Sequence, residues 1–148
     1  MAEIRHRVGA NAPVAEVYRA IATPAGVREW WTRDVSGDAQ VGGELVFGFP
    51  SPDRGATVEV VELVPDGKVV WQVVKGPDEW VGTTITFDLS EIDDETAVMF
   101  THGGWREPVG FMHHCSTKWA YFLLSMKHAV EGGMATPWPD DELISSWG

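Results

Sequence analysis

Cysteine is nearly missing from this chain: Cys115 is the only one in 148 residues. A lone thiol cannot close an internal disulfide, and such usage fits a reducing compartment. Positive charge is scarce as well. Eleven Lys and Arg stand against 22 Asp and Glu, a formal net charge of −11. Nucleic-acid binding leaves a basic stripe as its footprint, so that class is excluded. An anionic membrane surface would be repelled for the same reason. The simplest use of the acidity is solubility; its alternative is a basic protein partner. No apolar run approaches the ~18 residues of a membrane-crossing helix. The opening residues Met1–Arg7 carry no apolar stretch of the signal-peptide kind. The expectation is a cytoplasmic protein whose partners include neither nucleic acid nor membrane.

Internal repeats, low-complexity tracts and interdomain linkers are also missing, so residues 1–148 read as one domain with an irregular tail over 135–148. A chain of this length buries a core without disulfide or metal staples. What it does have is aromatic surface: eight Trp, six Phe and two Tyr. Large rings line cores, pockets and interfaces.

The pattern of apolar residues gives the elements. Glu3 to Val8 alternates as a first strand. Asn11-Ala12-Pro13 signals a helix start, and Val14, Val17, Tyr18 and Ile21 recur at helical spacing through Ala22. Pro24 opens a second short helix to Trp31. After the Val41-Gly42-Gly43 turn, Leu45, Phe47 and Phe49 alternate as a strand. A loop is expected from Pro50 to Gly55. Thr57–Val64 and Lys68–Val74 form a hairpin around Pro65-Asp66-Gly67. Thr83–Ser90 puts Thr83, Ile85, Phe87 and Leu89 on one face. Thr96–Gly103 does the same with Val98, Phe100 and His102. Connections of turn length cannot serve parallel strands, so the sheet is expected to be antiparallel and the class α+β.

The longest element is a helix from about Val109 to Gly132, stopped by the Gly132-Gly133 pair. At ~100° per residue, Phe111, Met112, Cys115, Trp119, Phe122, Leu123, Met126, Ala129 and Val130 share an arc of roughly 120°. His113 and His114 fall outside that arc, ~100° apart from each other, whereas helical metal pairs sit at i and i+4. Cys115 has no second thiol, and burial raises a thiol pKa rather than activating it. Neither a metal site nor a nucleophilic cysteine is expected. The Gly42-Gly43 and Gly103-Gly104 pairs lack the spacing and context of phosphate loops.

Several blocks, taken in order, resemble a known family. They are Ala15-Glu16-Val17-Tyr18-Arg19-Ala20-Ile21, Thr23-Pro24, Trp30-Trp31-Thr32, Val41-Gly42-Gly43-Glu44-Leu45 and Pro65 through Trp71. They continue with Trp80-Val81-Gly82-Thr83, Thr101-His102-Gly103-Gly104-Trp105 and His114-Cys115-Ser116-Thr117-Lys118-Trp119, then Ser125-Met126-Lys127. In spacing the chain is similar to the START-like, or SRPBCC, superfamily, in its branch of bacterial homologues of the heat-shock-protein ATPase activator. The resemblance spans about Ile4 to Pro139. It implies a helix-grip fold, in which a curved antiparallel sheet wraps a long C-terminal helix and two short helices follow the first strand. It also implies an apolar cavity between helix and sheet, where relatives bind lipids, hormones or polyketides, and some catalyse cyclisation or hydrolysis. Fold-level likeness does not fix function.

The cavity wall is expected to combine the helix stripe with inward strand positions: Phe47, Trp71, Phe87, Phe100, His102, Trp119, Phe122 and Met126. The resemblance places the short helix that ends in Trp30-Trp31-Thr32 beside the cavity mouth and so implies that one Trp of this pair gates it, with Trp30 the candidate site residue; the alternative is that both anchor the short helices to the sheet. Pockets of this apolar kind hold small molecules; the bland alternative is that the rings fill the space. The leading expectation is binding of a small apolar or aromatic molecule, without cofactor, metal or catalytic set. A second is a cyclase or hydrolase using His102 as acid/base, which needs a hydroxyl or carboxylate beside that ring. A third is a chaperone ATPase regulator acting on a protein partner through its surface. The oligomeric expectation is a monomer or homodimer.

Overall fold

A computed structural model describes residues 1–49 and 55–148; of the loop expected over Pro50–Gly55, only Gly55 lies among them. In chain order come β1 (Ala2–Ala10), α1 (Val14–Ala22), α2 (Pro24–Arg28), β2 (Val35–Gly37) and β3 (Glu44–Phe47). Then follow β4 (Ala56–Val64), β5 (Lys68–Lys75), β6 (Thr84–Ile92), β7 (Glu95–Trp105) and α3 (Gly110–Val130). The strands make one curved antiparallel sheet in the order β1-β7-β6-β5-β4-β3-β2. This is the expected α+β helix-grip architecture: the sheet holds α3, and the two short helices follow β1.

The hairpins follow local rules. Asp93 and Asp94 both adopt positive φ, 55° and 59°, and Ile92 pairs with Glu95. Positive φ at both central residues suits the right-handed twist of a two-residue hairpin, and Asp tolerates it. Helix α3 ends as expected: Gly132 has φ 79°, and the Gly133 amide donates to the His128 carbonyl at 2.7 Å. A side chain at Gly132 would oppose that left-handed turn.

Two boundaries differ from the sequence reading. Strand β2 was not expected; three residues, two of them Ser36 and Gly37, are too short and too weakly β-forming to show a period of two. Its register comes from the partner strand, with Val35 opposite Phe47. Helix α2 stops at Arg28 rather than Trp31, and Trp30 and Trp31 sit in the turn that follows it. Their amides still bond the Val27 carbonyl, which is why the apolar spacing extends past the helix.

The inward strand positions face the core. Ile85, Phe87, Leu89, Val98, Phe100 and His102 are all buried. So are Cys115, Trp119, Phe122, Leu123 and Met126 of α3. One buried α3 residue lies outside the apolar stripe: Ser125. Its hydroxyl donates to the Trp30 carbonyl at 2.9 Å and accepts from the Thr136 amide at 2.9 Å. It therefore ties α3 to the turn after α2 and to the start of the C-terminal segment. Replacing Ser125 by Ala leaves a buried carbonyl and an amide without this partner. The expected cost is about 2 kcal/mol, read as a lower urea midpoint with an unchanged slope. A midpoint equal to wild type would show that the bridge contributes nothing.

Candidate functional site

The site begins with rings. Trp31 is the hub: its ring lies 4.5 Å from Phe47, 4.9 Å from Trp119 and 6.2 Å from Trp71 in a near-parallel stack. Beneath it, Trp71, Phe87 and Phe100 pack edge to face at 5.2 and 5.3 Å. Trp30 joins them edge-on at 6.3 Å from Phe87, and its indole N–H donates to the Ala20 carbonyl at 2.8 Å. Edge-to-face and offset packing is the preferred geometry of such rings. Here it fills the deep space between helix and sheet.

Open volume remains higher up, at one end of α3. A pocket of about 660 Å³ lies there. The side facing α3 is formed by Phe111, His114, Cys115, Lys118, Trp119 and Phe122. Trp31, Phe49, Ala56, Pro77 and Trp80 continue the wall. The remaining side is the C-terminal segment, through Trp138, Pro139, Asp141, Leu143, Trp147 and Gly148.

Among the expected wall residues, Trp119 and Phe122 line this pocket. Phe47 borders a second groove with Asp34, Lys75 and Asp78, but its side chain is fully buried against Trp31 and Trp71. Trp30, Trp71, Phe87, Phe100, His102 and Met126 are fully buried in the packing beneath and are not part of the pocket lining. The resemblance implies that one Trp of the Trp30-Trp31 pair gates the pocket, with Trp30 as the candidate site residue; the ring that lines the pocket is Trp31. His114 had been read as off the cavity. It lines the pocket because the tail folds across that flank of α3, where the His114 Nδ1 and the Ser145 hydroxyl lie 2.7 Å apart. Trp80 and the tail residues were missed. Trp80 lies in a loop, where no periodicity marks a face, and the tail's docking is a long-range contact.

The tail, although irregular, is tied down at several points. The Trp138 amide donates to the Trp31 carbonyl at 2.9 Å, and the Arg33 amide to the Trp138 carbonyl at 3.1 Å. The Tyr121 hydroxyl donates to Thr136 at 2.7 Å and accepts from the Glu142 amide at 3.0 Å. The Lys118 ammonium meets the Asp141 carboxylate at 2.7 Å.

His102 sits behind the pocket in a chain of hydrogen bonds. The Trp119 indole N–H donates to its Nδ1 at 3.1 Å. That fixes Nε2 as the protonated nitrogen, which then donates to the Thr83 hydroxyl at 2.8 Å. Thr83 in turn donates to the Trp80 carbonyl. An acid/base reading needed a hydroxyl beside His102, and Thr83 supplies one. Yet both ring nitrogens are engaged and the ring is fully buried. Burial pulls its pKa down from 6.5 to about 3. Its chemistry is that of a neutral strut, holding Trp119 and the Trp80 loop at a fixed separation. Trp80 and Trp119 stack nearly parallel at 6.0 Å, which gives the pocket a flat aromatic wall.

Cys115 accepts the Trp80 indole N–H at 3.4 Å. Burial pushes its thiol up to about 12, aided by Glu79 and only partly opposed by that hydrogen bond. A thiol held protonated is a poor nucleophile, so Cys115 acts as apolar wall.

Comparison with known proteins gives a consistent picture. The family model described as Activator of Hsp90 ATPase homolog 1-like protein matches residues 11–131. The solution structure of the Aha1 dimer from Colwellia psychrerythraea is 42% identical, with a TM-score of 0.82, covering 90% of this chain and 98% of that one. The Staphylococcus saprophyticus protein SSP2350 is 17% identical, with a TM-score of 0.76, covering 92% and 97%. CalU16 from Micromonospora echinospora is 19% identical, with a TM-score of 0.75, covering 97% and 75%; these last two likenesses concern fold alone. No curated protein matches the chain.

The buried imidazole makes stability depend on pH with a definite sign. In the unfolded chain the ring titrates near 6.5, and in the fold near 3. The neutral ring's contribution is complete above pH 6.5 and is lost as pH falls toward 3. Between pH 7 and pH 4 this group alone should remove on the order of 3 kcal/mol. His102→Gln, whose amide still offers an acceptor and a donor, should lose that share of the pH dependence. Urea midpoints at the two pH values check this; an equal drop in wild type and variant would refute the strut's neutral state.

Proposed function

The chain belongs to the Activator of Hsp90 ATPase homolog 1-like family, and from that premise we propose that it binds one small apolar or aromatic molecule in the pocket at the end of α3. The observation that carries this reading is the pocket itself. Its volume of about 660 Å³ falls within the range of roughly 300–1,000 Å³ typical of small-molecule sites. Its wall is mainly aromatic: Trp31, Trp80, Phe111, Trp119 and Phe122, with Trp138 and Trp147 from the tail. The stacked Trp80–Trp119 pair offers a flat face to a planar ligand. The expected residues Trp119 and Phe122 act as direct contacts. Trp30, Phe47, Trp71, Phe87, Phe100, His102 and Met126 act as the packed support that holds them.

Binding is preferred over a cyclase or hydrolase role because His102 spends both nitrogens on Trp119 and Thr83. The family's description, which names an activator of an ATPase, carries a further reading, contact with a chaperone ATPase through the surface, with which the net charge of −11 is compatible. The pocket is preferred because it rests on geometry. We also propose that the chain is a homodimer, since the 42% identical Colwellia protein is described as a dimer. Light scattering behind size exclusion should then give twice the 16.3 kDa of one chain, and a mass of one chain would refute it.

Titration with 1-aminoanthracene, a neutral aromatic dye whose emission reports an apolar setting, tests the pocket. One saturable site per chain is expected. Cys115→Phe projects a ring into the pocket and should weaken binding about tenfold, or about 1.4 kcal/mol, while circular dichroism reports an intact fold. Absence of saturable binding to wild type, or an unchanged affinity in the folded variant, would sink the proposal.

A further inference from the structure

Lys118 is out of keeping with the rest of the pocket wall. It is the one Lys or Arg among the described lining residues, in a chain short of positive charge. Its ammonium lies 5.4 and 5.3 Å from the ring centres of Tyr121 and Phe122. The side chain is 16% exposed and that of its partner Asp141 only 8%. An ammonium so far removed from water needs acceptors. It has three among the described residues: the Asp141 carboxylate at 2.7 Å, the Glu142 carbonyl at 2.6 Å and a Gly148 oxygen at 3.1 Å.

All three acceptors belong to one stretch, residues 141–148. None comes from the sheet or from α3. Undocking of that stretch as a whole would therefore remove all three acceptors together. It would leave a cation at the edge of an aromatic pocket, steadied only by two ring faces. Asp141, itself part of the pocket lining, occupies the position that a ligand's own acid group would need.

We propose that the molecule bound here is an aromatic acid, with its ring against the wall formed by Trp80, Trp119 and Trp31 and its carboxylate on Lys118 in exchange for Asp141. This rests on the pocket reading above and names the chemical class of the occupant. The net charge of −11 opposes an anion at long range, but such repulsion is screened beyond about 8–10 Å at physiological salt. A carboxylate on Lys118 acts at contact distance in a largely dry site, where charge-assisted hydrogen bonds are strongest. The short-range term decides. The tail is then a strap whose latch carries a stand-in for the ligand's acid group.

The test compares 2-naphthoate with 2-naphthamide, which share a ring and differ in charge, by calorimetric titration at pH 7.5. Wild type should bind the acid about tenfold more tightly than the amide. Lys118→Met, which keeps the aliphatic stem, should abolish that preference, so that acid and amide bind with equal affinity. Lys118→Arg should retain it. Asp141→Asn should raise the affinity for naphthoate relative to the amide, because the competing carboxylate is gone. Equal affinity of wild type for both compounds overturns the anionic class and leaves the pocket standing. A preference that survives Lys118→Met overturns the role of Lys118, and an unmoved preference in Asp141→Asn overturns the exchange. Binding of neither compound overturns this proposal and the pocket reading together.

Discussion

A neutral imidazole, locked between an indole and a hydroxyl, is the constraint on which the upper half of the molecule depends. His102 lies on β7, Thr83 just ahead of β6, and Trp119 on α3. The chain Trp119–His102–Thr83–Trp80 therefore pins the helix to the sheet and to the loop after β5. Each donor has one acceptor, so the tautomer and the ring angle are determined together. A charged imidazole would have to give up the Trp119 bond, because its Nδ1 could no longer accept. Keeping the ring neutral is thus the condition for the Trp80–Trp119 stack that walls the pocket.

Below that strut the aromatic rings pack on one another; above it there is room. Packing of Trp30, Trp71, Phe87 and Phe100 in edge-to-face contacts uses the deep space that a larger ligand would occupy. Trp31 caps this packing and forms the floor of the pocket. The cavity of this helix-grip fold is therefore displaced toward the end of α3 and completed by a segment outside the sheet-and-helix frame. Where the tail crosses α3, polar and charged residues of the helix that would face water find partners instead. Tyr121, Lys118 and His114 each bond the tail, so the flank of α3 beside its apolar stripe is also structural.

Periodicity made the frame legible. Alternation in β6 and β7 assigned Phe87, Phe100 and His102 to the inner face, and the 3.6-residue repeat assigned Trp119, Phe122 and Met126 to the buried side of α3. The same logic could not find β2, whose three residues are held by pairing with β3, nor Ser125, a polar residue buried because two backbone groups need it. It also could not say which inward rings face open space and which face one another. That depends on how large neighbours interlock, and inward position is only the first requirement. Trp30 and Trp31 show the difference: they are adjacent, both buried and both aromatic, yet one bonds the Ala20 carbonyl in the core and the other lines the pocket.

What the sequence by itself determined were the properties that depend on local order: the α+β class, the hairpins, the helix with its glycine stop, the inward faces and the family. All but the family are written in neighbours a few residues apart, where backbone geometry converts spacing into direction; the family is written in the order of blocks along the whole chain. What only the tertiary structure decided was the site. The pocket exists because residues from α3, the turn after α2, the loop after β5 and the tail converge. The tail's route over His114 and Lys118 is set by contacts such as Lys118 with Asp141, which are made across the fold and leave no period in the chain. The protonation state of His102 is likewise a product of burial, which a sequence implies but only packing completes.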